Sequence, residues 1–475
     1  MPELDIVVTE SLSSLKYIIF FATLFIGVPT GYYLSLRYPK IERLVFFLMM
    51  FFTVRMEDIN FVSREHFRLT SRGFEVGMVD IATFIILFLV LKRKILYKPH
   101  LPPGSWIYFL YFGFSALSIF NAAVPLFSYF ELWKMLRMYI YFWVVYNYVN
   151  SFEQFDDFMK GVALVTVYIF YEVMKQKYIE GRFQSYGPFP HQNSLVMYSI
   201  ILGSLLFAYL LNKKDITHLK FSFWLLMFAM VSVNIIATLS RAGLVLYALS
   251  IITVLNLSFI AGFSTKKLFV TMLLVLVSLA MLARAWNSIS ERFRTAPAES
   301  ANVRKDLALA ALKMANDKTL GIGLNNFGIK INPPYQYSSH IEMHNPDDED
   351  EKNGLVETIY LMIAAEAGWH TLAIFLIFIF YYYFLNARNF ISYRGTNYQY
   401  FAVGLTGGLL AIYLESTLEW VLKQTNNYYQ LMLVFAMIAV MKKLETRYRT
   451  RGTVIPQNIS TKARLTAERE LNYAK

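Results

Sequence analysis

The sequence predicts an all-α polytopic membrane protein of about twelve to thirteen transmembrane helices with one large extramembrane loop. Three observations carry this prediction. Hydrophobic residues make up 56% of the 475 residues and charged residues only 16%, against about 25% charged in an ordinary soluble domain. The apolar residues come in runs, many about 15–20 long, which suits a hydrocarbon core about 30 Å thick. Basic residues gather in alternate connections between these runs. A soluble enzyme, a disulfide scaffold and a disordered protein are excluded. So is a β-barrel, whose strands would be short and alternating.

In chain order, runs at 17–36, 41–54, 75–91, 106–120, 132–149 and 158–174 read as the first spans. The run at 41–54 is short and reads as a partial or tilted span. Runs at 195–211, 221–239, 243–262 and 268–283 follow. The stretch 284–354 then loses its apolar continuity and reads as the one soluble piece of real size, with a helix expected over 302–315. Runs at 355–385, 400–414 and 428–441 close the membrane part, and 442–475 is a basic tail. The expected organisation is therefore a membrane part over 1–283, a loop domain over 284–354, further spans over 355–441, and the tail.

Orientation follows from loop charge. Arg37, Lys40 and Arg43, then Lys92, Arg93, Lys94 and Lys98, then Lys213, Lys214 and Lys220 fall on one side. Lys266, Lys267, Arg388, Arg394 and the tail join them, and the positive-inside rule makes this side cytoplasmic. The N-terminus is then outside, the C-terminus inside, and the 284–354 loop outside. The net charge of +12 is accounted for by these anchors and calls for no nucleic acid. The acidic start has no basic n-region, so no cleavable signal peptide is expected. With no cysteine, thiol chemistry and Cys-ligated metals are excluded.

Several cations break the trend by lying on the outer side. Arg241 stands between two apolar runs in ATLSRAG, where an arginine is costly unless it is paired or faces an aqueous cavity. Arg182 and His191 lie in EGRFQSYGPFPHQNS, a turn rich in Gly and Pro at the head of a span. Lys134 and Arg137 share one helix face near the start of another. The outer loop adds Arg304, the glycines of TLGIGLNNFG at 319–328, His340, His344 and an acidic run at 347–351. The two histidines lack a third ligand of clear spacing, so no metal site is assigned. Arginines facing outward at a membrane surface suit a ligand with a phosphate head and an apolar tail. A polyprenyl-diphosphate glycan has both, and its diphosphate is already a leaving group. Transfer then needs stabilisation of that group and a base for the acceptor hydroxyl.

ATLSRAG at 237–243, GPFPHQN at 187–193, the stretch from Arg304 through TLGIGLNNFG, and YLMIAAEAGW at 360–369 together resemble the O-antigen ligase/polymerase superfamily. The resemblance covers roughly 182–369. It implies a helical fold like that of C-type glycosyltransferases and a bacterial inner-membrane enzyme acting on undecaprenyl-diphosphate-linked glycans in the periplasm, without metal or cofactor. It also implies that Arg182 and Arg241, with Arg304 as a further candidate, hold the diphosphate, and that a loop histidine activates the acceptor. Many relatives have His-Asn just before the Tyr-Leu of the last motif, where this chain has Glu357 and Thr358. His344 and Glu357 are therefore both candidate bases, His344 the favoured one because its unperturbed pKa suits base work near neutral pH. His191, Arg137 and His340 are secondary candidates. The expected function is an O-antigen ligase whose acceptor is a lipid A–core. The alternatives are a polymerase extending a growing glycan, a protein-glycosylating relative and, from another class, a lipid-linked glycan flippase. Against a flippase stands the absence of an inverted repeat.

Overall fold

The computed structural model describes residues 14–63, 69–93, 98–214, 216–294, 298–341 and 353–450. Among them the chain is almost wholly helical. Helices α1 (Ser14–Ala22) and α2 (Val28–Arg37), joined through a single π-turn, make the first apolar rod, and α3 (Pro39–Phe51) turns back along it. An antiparallel hairpin, β1 (Asp58–Ser63) with β2 (Gly73–Gly77), precedes α4 (Met78–Lys92). Its pairs run Asp58–Gly77, Ile59–Val76 and Asn60–Glu75 before the register shifts. The run expected as a span from residue 75 thus begins as a strand. Then come α5 (Ser105–Leu117), α6 (Pro125–Tyr148) and α7 (Phe152–Met174). Pro125 opens α6 where no N–H is needed, and a reciprocal Ser151–Gln154 capping box opens α7.

The centre of the bundle is α8 (Gln192–Asn212), whose apolar window is 100% buried, while that of α10 (Arg241–Ile260) is only 28% buried and so presents most of its surface outward. Between them lies α16 (Gln399–Glu415). It fits because Gly404 and Gly407 carry no side chain: a Cβ there would stand 2.7 Å from Leu205 Cα and from the Ser250 carbonyl oxygen. Such close helix contact through small residues is how membrane bundles pack without a hydrophobic driving force. The set is completed by α9 (His218–Ala237), α11 (Thr265–Arg294), the loop helices α12 (Ala298–Asp317) and α13 (Phe327–Lys330), α14 (Ile359–Ala367), α15 (Trp369–Ser392) and α17 (Thr425–Thr450). Among the described residues, five stretches are long and apolar enough to cross a membrane by themselves, at 17–37, in α8, α9 and α10, and in α15. The protein is an all-α polytopic membrane protein.

Two local expectations resolve differently. The helix expected at 302–315 is α12, extended at both ends. The run at 355–385 is not one span. Gly368 takes φ +88, a left-handed value that stops α14 and lets α15 start in a new direction. Apolarity is continuous across this break, so the pattern of hydrophobicity could not reveal it.

The two sets of loops separate as the charge pattern requires. Arg93 pairs with Glu42 (2.7 Å), Arg43 with Glu153 (2.6 Å) and Lys213 with Asp156 (3.6 Å), while Lys443 reaches Asn150 (3.1 Å). These contacts gather the basic connections at one end of the bundle. At the other end Ser185 meets Ala237, Thr70 meets Asn325, and Asn426 meets Thr53.

Candidate functional site

The turn between α9 and α10 is built tightly. Leu239 is held at φ 50, and the Ser240 hydroxyl caps α10 by accepting from the Gly243 N–H at 3.4 Å. Gly243 is required because a Cβ would lie 2.3 Å from Val196 Cγ1, so α10 starts flush against α8. Arg241 is the first residue of α10 and is half-buried. Among the described residues it makes no ion pair. A guanidinium at the positive end of a helix gains nothing from the helix dipole. Charge and exposed N–H groups together suit an anion there.

Arg182 stands beside this turn. The Ser185 N–H donates to the Ala237 carbonyl at 3.1 Å and the Gln184 amide to that of Thr238 at 3.2 Å, which pins the Arg182 loop to the start of α10. Gln176 shapes the loop from inside, accepting from the N–H groups of Tyr186 (2.9 Å) and Gly187 (2.8 Å). Arg182 itself is exposed, pairs with Glu180 at 2.8 Å and lies over the Tyr186 ring at 4.7 Å.

A second group forms around the head of α8. His191 is its N-cap, with Nδ1 accepting from the Asn193 N–H at 3.3 Å. The Asn193 side-chain amide donates to Glu419, in the connection between α16 and α17. Arg304, on α12, contacts Glu419 at 3.3 Å and lies still closer to Glu357. One guanidinium therefore bridges two carboxylates. Burial raises the Glu419 carboxyl to about 7, with Glu357 adding to the rise and Arg304 and Asn193 opposing it. Burial also raises Glu357, against Arg304. His191 is lowered by burial and then by Arg304, which favours its neutral form. Val196, one turn along α8 from Asn193, is the residue that Gly243 abuts. Arg241 and the carboxylate pair thus flank one helix end.

The structure pins the loop that carries Arg182 to the turn that leads into Arg241, and brings Arg304, Glu357 and His191 together. It sends the remaining candidates elsewhere. Arg137 is buried in an ion pair with Asp80 (2.6 Å), with Glu75 at 3.7 Å. Lys134 is buried against Glu131 (2.8 Å), in a network that continues through Lys423 to Glu366 (2.7 Å). Both cations tie helices together and neither faces open space. His340 is exposed and leans on α12, with Nε2 at 2.9 Å from the Asp306 carbonyl oxygen and Nδ1 at 3.0 Å from Lys313. His344 and the acidic run at 347–351 lie outside the described residues. Among those described, no group of three or more metal-binding side chains is arranged to hold an ion.

The glycines of TLGIGLNNFG approach the protein's own chain rather than open space. Ile322 and Gly323 donate to the carbonyls of Ala365 (2.9 Å) and Glu366 (3.0 Å) at the end of α14. Asn325 accepts from Thr70 (2.9 Å) and donates to Ser71 and Phe127 carbonyls (2.9 Å each). A Cβ on Gly323 would stand 2.5 Å from Ala122 Cα, at φ +114. Gly323→Val is therefore expected to destabilise this end of the bundle by about 2 kcal/mol or more. Thermal unfolding of purified protein checks this, and an unchanged midpoint would contradict it.

Glu419 escaped the sequence reading. Its signal was present: Glu415 and Glu419 stand four residues apart at the end of an apolar run, where acids are expensive.

No curated protein matches the chain. Residues 225–376 match the model of the O-antigen ligase family. The matched segment runs from α9 through Arg241, Arg304, TLGIGLNNFG and Glu357 into α15, and leaves out Arg182 and Glu419. Over this segment, about a third of its length, the chain is similar to the O-antigen ligase family, which supports a place in the O-antigen ligase/polymerase superfamily.

Proposed function

We propose that the protein is an O-antigen ligase of the bacterial inner membrane, moving a glycan from undecaprenyl diphosphate to a sugar of lipid A–core on the periplasmic side. The observation that carries this reading is the placing, at one bundle end, of Arg241, which makes no ion pair among the described residues, with two carboxylates that burial raises, Glu419 to about 7. The diphosphate sits at the start of α10, held by Arg241 and Arg182, with its prenyl tail among the outward-facing apolar residues. The acceptor hydroxyl gives its proton to Glu419 or Glu357 as its oxygen bonds the anomeric carbon. The bond from that carbon to the diphosphate breaks, and the electron pair leaves with the diphosphate. The arginines stabilise the charge that develops there. No metal or cofactor takes part. His344 competes with the glutamates for the role of base.

Lipopolysaccharide electrophoresis of a deletion strain tests the acceptor. A ligase gives loss of the whole ladder with lipid-linked polymer retained. Core carrying a single repeat unit means a polymerase instead. Sidedness is tested by impermeant thiol labelling in spheroplasts, since the chain has no cysteine. Lys318→Cys, exposed after α12, should label directly, and Arg388→Cys, exposed in α15, only after permeabilisation. The reverse pattern would overturn the periplasmic placement.

A further inference from the structure

The charged groups at the outer end fall into two kinds. Those of the interior are sealed: side-chain exposure is 3% for Arg137, 2% for Lys134 and 5% for Lys423. Arg304 is 40% exposed and its partner Glu357 33%, while its second partner Glu419 is 11% exposed at the longer distance of 3.3 Å. An ion pair this open contributes little, because water competes for both charges and two long side chains must be held still. It can be exchanged for another anion at small cost. A sealed pair cannot, since breaking it strands a buried charge.

The backbone that carries Arg304 is nevertheless fixed. Leu307, Ala310, Ala311 and Met314 of α12 are buried against Met362 and Ala365 of α14. An exchange of partners therefore needs only a rotation of the Arg304 side chain. The groups facing it are known from every neighbouring element. They are Glu357 before α14, Glu419 after α16, and His191 with Asn193 at the head of α8, while Glu415 at the end of α16 interacts with Glu419. His191 is held toward neutrality, and among the described residues only Arg304 stands within ion-pair distance of the two carboxylates.

We propose that Arg304 is an exchangeable latch: the incoming diphosphate draws its guanidinium away from Glu357 and Glu419, and the released pair is then free to accept the acceptor's proton. This rests on the diphosphate reading above and adds to it a coupling between donor binding and the base. Without a donor, Arg304 occupies both carboxylates and opposes the rise that burial imposes on each. With the donor bound, the pair loses its cation and faces a new anion, so it takes up a proton between its two members. The carboxylate that stays ionised is no longer tied to a guanidinium. Binding of donor should therefore consume protons near pH 7, and a competitor for Arg304 should weaken it.

The test is calorimetric titration of the full-length protein in nanodiscs with farnesyl diphosphate, in two buffers of different ionisation enthalpy. The wild type should take up a fraction of a proton per ligand bound. Glu357→Gln and Glu419→Gln each remove a competitor for Arg304. Glu357→Gln should tighten binding by about twofold to fivefold, the worth of an exposed ion pair, Glu419→Gln by at least as much, and both should reduce proton uptake. Arg304→Gln should weaken binding and abolish uptake. In transfer kinetics, the acid limb of kcat, which reports the donor complex, should lie at higher pH than that of kcat/KM, which reports the free enzyme. Binding that requires Arg241 but carries no proton uptake, with both glutamine variants unchanged in affinity, would overturn the latch and leave the diphosphate reading intact. No binding by the wild type would overturn both.

Discussion

Arg241→Ala is expected to lower glycan transfer by on the order of a hundredfold to a thousandfold, the usual cost of removing one group that stabilises charge in a transition state. Arg241→Lys keeps the charge but loses the planar fork, and should still lose on the order of tenfold or more. The residue makes no ion pair among those described and caps no helix, so its loss should leave folding intact. Its neighbour Ser240 supplies the cap. Initial rates in proteoliposomes, beside thermal unfolding of the same preparations, separate the two effects. Near-normal transfer by folded Arg241→Ala would remove the diphosphate from the start of α10.

Glu419→Gln is expected to cost on the order of a hundredfold or more in turnover, as loss of a general base does. The pH dependence gives the sign. A base works ionised, so wild-type turnover should rise as pH climbs through the region of about 7 to which Glu419 is raised. Below that region the carboxyl is protonated and transfer falls. Glu357→Gln removes a negative neighbour that helps to raise Glu419, so its rising limb should move to lower pH. Glu419→Gln should flatten the limb. If Glu419→Gln instead keeps both turnover and limb while His344→Ala loses them, the base is the loop histidine.

How much of this was legible in the sequence depends on the range of the interaction concerned. Helix positions were, because apolar runs and alternating loop charge are local signals. The break at Gly368 was not, since Leu, Ile and Ala continue on both sides of it and only the backbone changes hand. The hairpin over 58–77 was read partly as span, because Glu75–Gly77 sits directly against the apolar residues of α4. Arg241 and Arg182 could be singled out because a cation at the outer end of an apolar run is conspicuous alone. Arg137 is equally conspicuous, and its burial in an ion pair depends on Asp80, 57 residues away. Spacing within one helix says nothing about such a partner. The same limit applied to TLGIGLNNFG, whose glycines are consistent with either a ligand or a close backbone. The chain that approaches them, Ala122 and the end of α14, is remote in sequence. Glu419 was missed because its importance comes from Arg304, 115 residues earlier.

The central claim is that this bundle end transfers a glycan off a lipid diphosphate. Purified protein, reconstituted with undecaprenyl-diphosphate-linked glycan and lipid A–core, tests it most directly by following both products at once. The expected result is glycan-bearing core with one undecaprenyl diphosphate released per glycan transferred, lost together in Arg241→Ala. Lipid-linked glycan that crosses the bilayer unchanged, with no diphosphate released and no bond to any acceptor, would contradict it.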